Sequence, residues 1–239
     1  MTQILKTKFA LSLFCIVHLF FFESCNLEYK YRKHTSTFET DIQKLEQLKD
    51  HENKEDYLLF IGSSSIRRWN SIEEDMAPYS VVKRGYGGAH YYDLIHFVER
   101  LIQDKQKAKA VVIFVANDIT GKSSRDSSHH DLTPKQIQRL FKVITKKIQK
   151  KMSEDLPIYV IETTPTPSRW KVWDQIVTAN DLIQSYTEKH PNLHFIATRK
   201  YFINKRGVPE GKYFVQDSLH FSQAGYDLWE KIIKKELNQ

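Results

Sequence analysis

Short apolar runs alternate along the chain with longer segments in which apolar residues recur every three to four positions. The runs lie at 57–61, 81–82, 110–115, 158–161 and 193–196, and such runs, bounded by polar or turn residues, predict buried parallel strands. Helical spacing predicts helices over 38–48, 92–104, 133–152, 172–189 and 224–237. Strands that alternate with long helices predict a three-layer α/β/α sandwich around a central parallel sheet of about five strands.

The first residues follow a different pattern. Lys6 and Lys8 precede an apolar run at 9–22, which is shorter than the roughly 20 residues that a spanning helix needs. A positive start followed by a short apolar segment predicts an export signal. The small residue before Cys25 resembles the lipobox of bacterial lipoproteins, and this resemblance implies lipidation at Cys25. We therefore divide the chain into an export signal at 1–24, a tether or linker at 25–37 and a single domain at 38–239.

The cysteines agree with this division. Cys15 and Cys25 are the only two in the chain, so cleavage before Cys25 would leave one thiol and no internal disulfide. We predict an exported, membrane-anchored bacterial lipoprotein that faces the periplasm or the cell surface. An ordinary cleaved signal peptide and an uncleaved anchor are the alternatives, and in either of them Cys25 would be incidental.

Composition and charge limit the classes of partner that we expect. The chain is 41% hydrophobic and 27% charged, which is typical of a folded protein with one sizeable core. Its formal net charge of +7 comes from lysines dispersed through helix-like stretches, without a nucleic-acid-binding module around them. We predict a solvated basic surface and no nucleic-acid partner; attraction to anionic lipid or glycan is the alternative.

Candidate chemistry lies directly after three of the predicted strands. Ser64, Gly88 and Asn117 follow the first, second and third strands, and functional groups in parallel sheets gather at these carboxyl ends. Ser64 offers a hydroxyl, while the backbone N–H groups of Ser64 and Gly88 and the amide of Asn117 could stabilise an oxyanion. Near the C-terminus, Asp217 precedes His220 by three residues, a spacing that lets a carboxylate orient an imidazole base. Nucleophile, base and orienting acid predict covalent acyl transfer.

In this order, the segments Gly62-Ser63-Ser64, Gly88, Asn117 and Asp217-Ser-Leu-His220 resemble the sequence blocks of the SGNH/GDSL hydrolases. The resemblance covers about residues 57–237. It implies a flavodoxin-like fold, selects Ser64 from three adjacent serines as the nucleophile, and implies an oxyanion hole formed by Ser64, Gly88 and Asn117. It implies no metal or organic cofactor.

The subtype Gly-Ser-Ser-Ser-Ile-Arg resembles the branch related to platelet-activating-factor acetylhydrolases and carbohydrate acetylesterases. The resemblance therefore implies an esterase that forms an acyl-enzyme and removes a short acyl group, most simply acetyl, from a carbohydrate. The sequence departs from the family pattern at Val115, where the family has glycine, and at Ser63, where the eponymous motif has aspartate. We expect Val115 to alter the strand exit or to narrow the pocket.

We consider Arg169 and Trp170, which follow the fourth strand, as substrate contacts, with ordinary surface packing as the alternative. We assign the polar stretch 121–131, with His129 and His130, to a loop at the pocket rather than to a metal site.

A lysophospholipase or other lipid acylhydrolase is one rival function, and an inactive glycan-binding envelope lipoprotein is another. The sequence does not indicate which oligomeric state the protein has.

Overall fold

A computed structural model describes residues 27–32, 35–49, 55–102, 108–122 and 131–238. Within these residues the chain forms five strands: β1 (Tyr57–Gly62), β2 (Ser80–Gly85), β3 (Ala108–Phe114), β4 (Ile158–Ile161) and β5 (Leu193–Ile196). The helices are α1 (27–31), α2 (Glu39–Leu48), α3 (Ser64–Arg68), α4 (Ile72–Asp75), α5 (Tyr91–Leu101), α6 (Pro134–Lys151), α7 (Trp173–Thr187), α8 (Arg199–Phe202) and α9 (Gln223–Leu237). Short 3₁₀ turns lie at Ser36–Phe38, Pro167–Val172 and Gly211–Tyr213. The predicted alternation of strands and helices is confirmed.

All five strands pair in parallel, in the order β2-β1-β3-β4-β5. This is the flavodoxin-like order, in which the chain reverses its direction of travel between β1 and β3. The carboxyl ends of these two strands open a crevice where ligands bind in such folds. The predicted fold class is therefore confirmed, and the topology brings the residues after β1 and β3 to the same place.

Both faces of the sheet are buried, because alternate residues of a strand point to opposite sides. In β1, Leu59 and Ile61 join a core with the inner faces of α5, α6 and α7. Leu58 and Phe60 join a second core, which includes Trp69 after α3 and Trp229 of α9. Burial on both sides explains why β1 and β3 are continuous apolar runs rather than alternating ones.

Our prediction of a linker is wrong for residues 27–32. Residues 27–31 form a helix, and Leu27 and Tyr31 on one side of it are buried in the first core. Tyr31 stacks on Tyr92 of α5 with ring centroids 5.6 Å apart, and Glu28 forms a 2.6 Å ion pair with Lys147 of α6. The spacing of Leu27 and Tyr31, four residues apart, is the helical signal that the polar composition of this segment obscured.

The export signal and Cys25 lie outside the described residues. Within the described part of the chain, each helix is too short or too polar to cross a bilayer. Lipidation and export therefore stay predictions from the sequence.

Candidate active site

Ser64 owes its position to a close approach between two strands. Gly62, the last residue of β1, pairs with Phe114 of β3, and a Cβ on Gly62 would collide with the backbone oxygen of Phe114. The N–H of Ser63 then donates to that same oxygen at 2.9 Å. Because the chain turns into α3 directly afterwards, the Ser64 side chain stands at the carboxyl edge of the sheet.

The three residues predicted for acyl transfer form one hydrogen-bonded chain. Ser64 Oγ lies 2.9 Å from His220 Nε2, and His220 Nδ1 lies 2.6 Å from Asp217 Oδ2. The other carboxylate oxygen, Asp217 Oδ1, accepts from the backbone N–H groups of Leu219 at 3.0 Å and His220 at 2.9 Å. The carboxylate therefore holds both the ring and the backbone of the histidine.

Electrostatics keep Asp217 ionised. Desolvation opposes its charge, but the hydrogen bonds from the His220 ring and from two backbone N–H groups prevail and lower the pKa of Asp217 to about 2. An ionised carboxylate accepts but cannot donate, so the Nδ1 atom of neutral His220 carries the proton. The Nε2 atom is then free to accept the hydroxyl proton of Ser64, as a general base must.

The turn that carries Asp217 and His220 is held from outside. Ser218 adopts a positive φ of 59°, which is uncommon for a residue other than glycine. Its carbonyl oxygen accepts from the N–H of Ser168 at 3.0 Å, a residue of the 3₁₀ turn at Pro167–Val172. Sequence reasoning missed this support, since nothing in the composition of either loop indicates the pairing.

Asn117 lies in the same cleft, with its amide partly engaged. Its Nδ2 atom donates to the carbonyl of Ala89 at 2.8 Å, which leaves one of the two N–H bonds of the amide for another acceptor. Gly88 precedes Ala89 and adopts φ +79°, and the ring of Phe38 lies 3.6 Å from the point where a Cβ would stand. Asn117 lines the same cleft as Ser64, whereas Gly88 is connected to the cleft through the Ala89 carbonyl. Its predicted role in the oxyanion hole stays a prediction.

Ser64, Asn117 and His220 line one cleft of about 350 Å³, part of which is open solvent. Its other walls are apolar (Phe114, Ala116, Leu219, Phe221) and polar (Ser63, Ser65, Thr164, Thr166, Arg169). Both threonines belong to the segment after β4. The cleft has both an apolar wall and neutral hydrogen-bonding groups, as binding sites for small molecules commonly do.

Our expectation that Val115 narrows the pocket is wrong. Its side chain is buried in the first core and lines a separate small cavity together with Tyr91 and Ile176. Phe114 and Ala116 pack with the second core and line the cleft, whereas Val115 between them packs with the first core on the other side of the sheet. Exchanging the family's glycine for valine therefore changes packing on the opposite side of the sheet.

Arg169 and Trp170, the two predicted substrate contacts, diverge in the structure. Arg169 is buried, lines the cleft and donates from its NH2 atom to Asn117 Oδ1 at 2.6 Å and from its NH1 atom to the carbonyl of Ala116. Burial lowers the pKa of Arg169 to about 10, against the opposing effect of Asp118 and Asp131, so the guanidinium stays cationic at neutral pH. Trp170 instead stacks on Trp173 at 5.8 Å and is not among the residues that line the cleft.

Buried acids lie behind the cleft. Asp118 accepts from the N–H of Tyr91 at 2.9 Å and 3.1 Å through its two oxygens, which ties the exit of β3 to the start of α5. Burial raises the pKa of Asp118 to about 7, although His90 and the Tyr91 N–H act in the opposite direction. Asp93 accepts from the His90 N–H at 2.9 Å and from the Tyr86 hydroxyl. These acids hold the loop that carries Gly88 and Ala89.

The loop at 121–131 is described only at its ends. Asp131 accepts from Thr120 N at 2.8 Å and Gly121 N at 2.6 Å, so its carboxylate closes the base of this loop. His129 and His130 lie outside the described residues. Among the residues that the structure does describe, His, Cys, Asp and Glu side chains form no group able to hold a metal ion.

No protein-family model and no curated protein matches the sequence, but solved structures do. One, from Streptococcus pneumonia and named as a platelet activating factor, gives a TM-score of 0.71 at 18% identity over 87% of this chain and 95% of its own. A GDSL-like lipase from Bacteroides thetaiotaomicron gives 0.57 at 16% identity, over 86% of this chain and 97% of its own. The chain has the SGNH hydrolase fold.

Another protein with the SGNH hydrolase fold is an acetyl-xylooligosaccharide esterase from Geobacillus Stearmophilus. A variant of it gives a TM-score of 0.61 at 16% identity, over 79% of this chain and 96% of its own. The similarity extends over nearly the whole length of each of these three structures. At these identities the likeness concerns the fold, and the chemistry has to be argued from the cleft itself.

Proposed function

We propose that the protein is a serine esterase that forms an acyl-enzyme on Ser64. The observation that carries the proposal is the hydrogen-bonded chain from Ser64 Oγ through His220 to Asp217. It lies at the carboxyl edge of a sheet whose structural relatives are named as lipases and esterases. A serine that merely capped a helix would need neither an imidazole at 2.9 Å nor a carboxylate behind that imidazole.

In the proposed reaction, Ser64 Oγ attacks the ester carbonyl carbon while His220 Nε2 takes the hydroxyl proton. The resulting imidazolium is stabilised by ionised Asp217, and it protonates the departing alcohol as the carbon–oxygen bond of the ester breaks. Water then attacks the acyl-enzyme, again with His220 as the base, and releases the acid and the free serine. The oxyanion of both steps is held by the Asn117 amide and by backbone N–H groups, for which Ser64 and Gly88 are our candidates.

For the substrate we propose a short acyl group, most simply acetyl, on a carbohydrate. The cleft is small, about 350 Å³ with open solvent included, and its threonines and asparagine suit a polar acyl acceptor. An acetyl-xylooligosaccharide esterase among the proteins of like fold supports the same choice. Trp170 no longer supports it, because that side chain stacks on Trp173.

A series of p-nitrophenyl esters tests the proposal. The full chain, purified in mild detergent, should hydrolyse the acetate faster than the octanoate, and Ser64→Ala should lower kcat/KM about a thousandfold or more. Ser185→Ala, an exposed serine on α7, is the matched control and should leave the rate unchanged.

Two results would contradict the proposal in different ways. Equal rates for wild type and Ser64→Ala would show that the protein is not a serine esterase and would favour an inactive binding protein. A preference for octanoate would retain the mechanism but point to a lipid acylhydrolase. Release of acetate from acetylated xylooligosaccharides, compared with release of fatty acid from lysophospholipid, would then separate the two acyl acceptors.

A further inference from the structure

Arg169 contacts Asn117, a proposed oxyanion donor, and no sequence pattern indicates this contact. Its guanidinium is buried and donates to two successive residues at the exit of β3, to the carbonyl of Ala116 and to Asn117 Oδ1 at 2.6 Å. Both acceptors are neutral oxygens rather than carboxylates. The side chain therefore forms no ion pair at these two contacts, which is unusual for a buried arginine.

These contacts determine which way the Asn117 carboxamide faces. A guanidinium only donates, whereas a carboxamide has one accepting oxygen and one donating nitrogen. The oxygen of Asn117 must therefore face Arg169, and its nitrogen faces the Ala89 carbonyl, to which it donates at 2.8 Å. In the flipped orientation the NH2 group would face the guanidinium and the two carbonyl oxygens would face each other. Both contacts would then be repulsive.

We infer that Arg169 is a positioning residue of the proposed esterase, which holds the Asn117 amide with its remaining N–H available to the oxyanion. The inference rests on the proposed function. The hydrogen bond from a cation to Asn117 Oδ1 also polarises the amide, so that its N–H groups become better donors. Preorganised donors of this kind stabilise the transition state because they need no reorientation during the reaction.

The same turn supports the other side of the cleft. Ser168, the residue before Arg169, donates its backbone N–H to Ser218, which lies between Asp217 and His220. A variant at position 169 therefore has to preserve the turn. Arg169→Met keeps the length of the apolar stem and removes the donors, and Arg169→Lys keeps a cation that can donate to one acceptor at a time.

The test is a double-mutant cycle on p-nitrophenyl acetate with the full chain, using Arg169→Met, Asn117→Ala and the double variant. Asn117→Ala should lower kcat by about 100- to 1000-fold, as loss of one oxyanion donor does in another serine hydrolase. Arg169→Met should lower kcat by roughly tenfold or more, within the loss caused by Asn117→Ala, and should change KM little. In the double variant, Arg169→Met should add less than about threefold, because its effect passes through Asn117. Arg169→Lys should recover part of the lost kcat.

Several outcomes would overturn the inference. Losses that multiply in the double variant would place Arg169 in a separate role. A raised KM at unchanged kcat would make it a substrate contact, as the sequence suggested. If Arg169→Met does not give the melting transition of the wild type, the cycle is repeated with Arg169→Lys, where the same non-additivity is expected. An unimpaired Asn117→Ala enzyme refutes the inference alone, whereas an active Ser64→Ala protein refutes the proposed function as well.

Discussion

Asp118 is a buried carboxyl directly behind the cleft, where desolvation raises its pKa to about 7. An exposed aspartate, as in the unfolded chain, has a pKa near 3.9. Between these values the folded protein binds more protons than the unfolded chain, so this group favours folding less as the pH rises from about 4 to 7.

The prediction is a pH-dependent difference between wild type and Asp118→Asn. The free energy of unfolding of the wild type, minus that of the variant, should fall between pH 4 and pH 7, because the variant has no ionisable group at this position. Thermal or urea unfolding at several pH values measures it, and titrations of groups that do not interact with Asp118 cancel in the difference. A difference independent of pH would show that Asp118 stays ionised throughout, held by its two contacts with the Tyr91 N–H.

The pKa of Asp217 is shifted in the opposite direction to that of Asp118. Its lowered pKa, about 2, keeps it ionised across the range in which an esterase would work. Its side chain nevertheless retains 44% of its accessible surface, against 16% for the His220 side chain. Since the charge is partly in water, the hydrogen bonds of Asp217 matter for orientation more than for stability.

At the scale of elements, helix α1 connects the predicted tether with the body. Its buried side carries Leu27 and Tyr31, and the Tyr31 ring lies between α1 and α5, stacked on Tyr92. Tyr92 in turn stacks on His90 at 4.4 Å, two residues after Gly88. The segment before the domain that we predicted is therefore packed against the start of α5, close to the loop beside the cleft.

Substitutions at Tyr31 test this packing. Tyr31→Ala should lower the free energy of unfolding by roughly 3 kcal/mol, as loss of a buried aromatic ring does. Tyr31→Phe should be neutral or slightly stabilising, because the buried Tyr31 hydroxyl has no hydrogen-bond partner among the described residues. Tyr29→Ala is the control on the same helix, since Tyr29 is 75% exposed and should change stability by less than about 0.5 kcal/mol. Equal effects of Tyr31→Ala and Tyr29→Ala would show that α1 does not pack on the body in solution.

For the whole molecule, α1 bears on how the domain would sit at a membrane. If Cys25 is the lipidated first residue of the mature chain, as we propose, only one residue separates it from the start of α1 at position 27. A domain attached in this way would lie directly at the bilayer surface rather than on a long flexible tether. The net charge of +7 would favour an anionic surface.

Separate substitution of each cysteine by serine tests the proposed lipid anchor. Cys25→Ser should move the protein from the membrane fraction to the soluble fraction, because the acyl chains on Cys25 are the proposed anchor. Cys15→Ser, within the proposed export signal, should leave the protein in the membrane fraction. Immunoblots of the fractions and incorporation of labelled fatty acid measure both properties. Unchanged partitioning of Cys25→Ser would refute lipidation as the anchor.

The sequence by itself determined the alternation of strands and helices and the residues of the hydrogen-bonded chain. Apolar runs such as that of β1 reflect burial on both faces, which is a local property of each strand. Asp217 and His220 were found through their spacing, whereas Ser64 was selected from three adjacent serines through its resemblance to a family motif. Their positions after a strand or in a tight turn follow from adjacent residues. Asp217 and His220 contact each other within four residues, so their pairing is local, although Ser168 also holds the turn that carries them.

Only the tertiary structure decided contacts between segments distant in sequence. Arg169 reaches Asn117 across 52 residues, and Tyr31 reaches Tyr92. The fold also decides that Trp170 stacks on nearby Trp173 and does not line the cleft. Such choices depend on how strands pair and on which face a helix presents, and these are set by the packing of the whole core. The polar composition around Tyr31 was misleading because it obscured the buried side of a helix, and the family position at Val115 was misleading because it did not show on which side of the sheet that side chain packs.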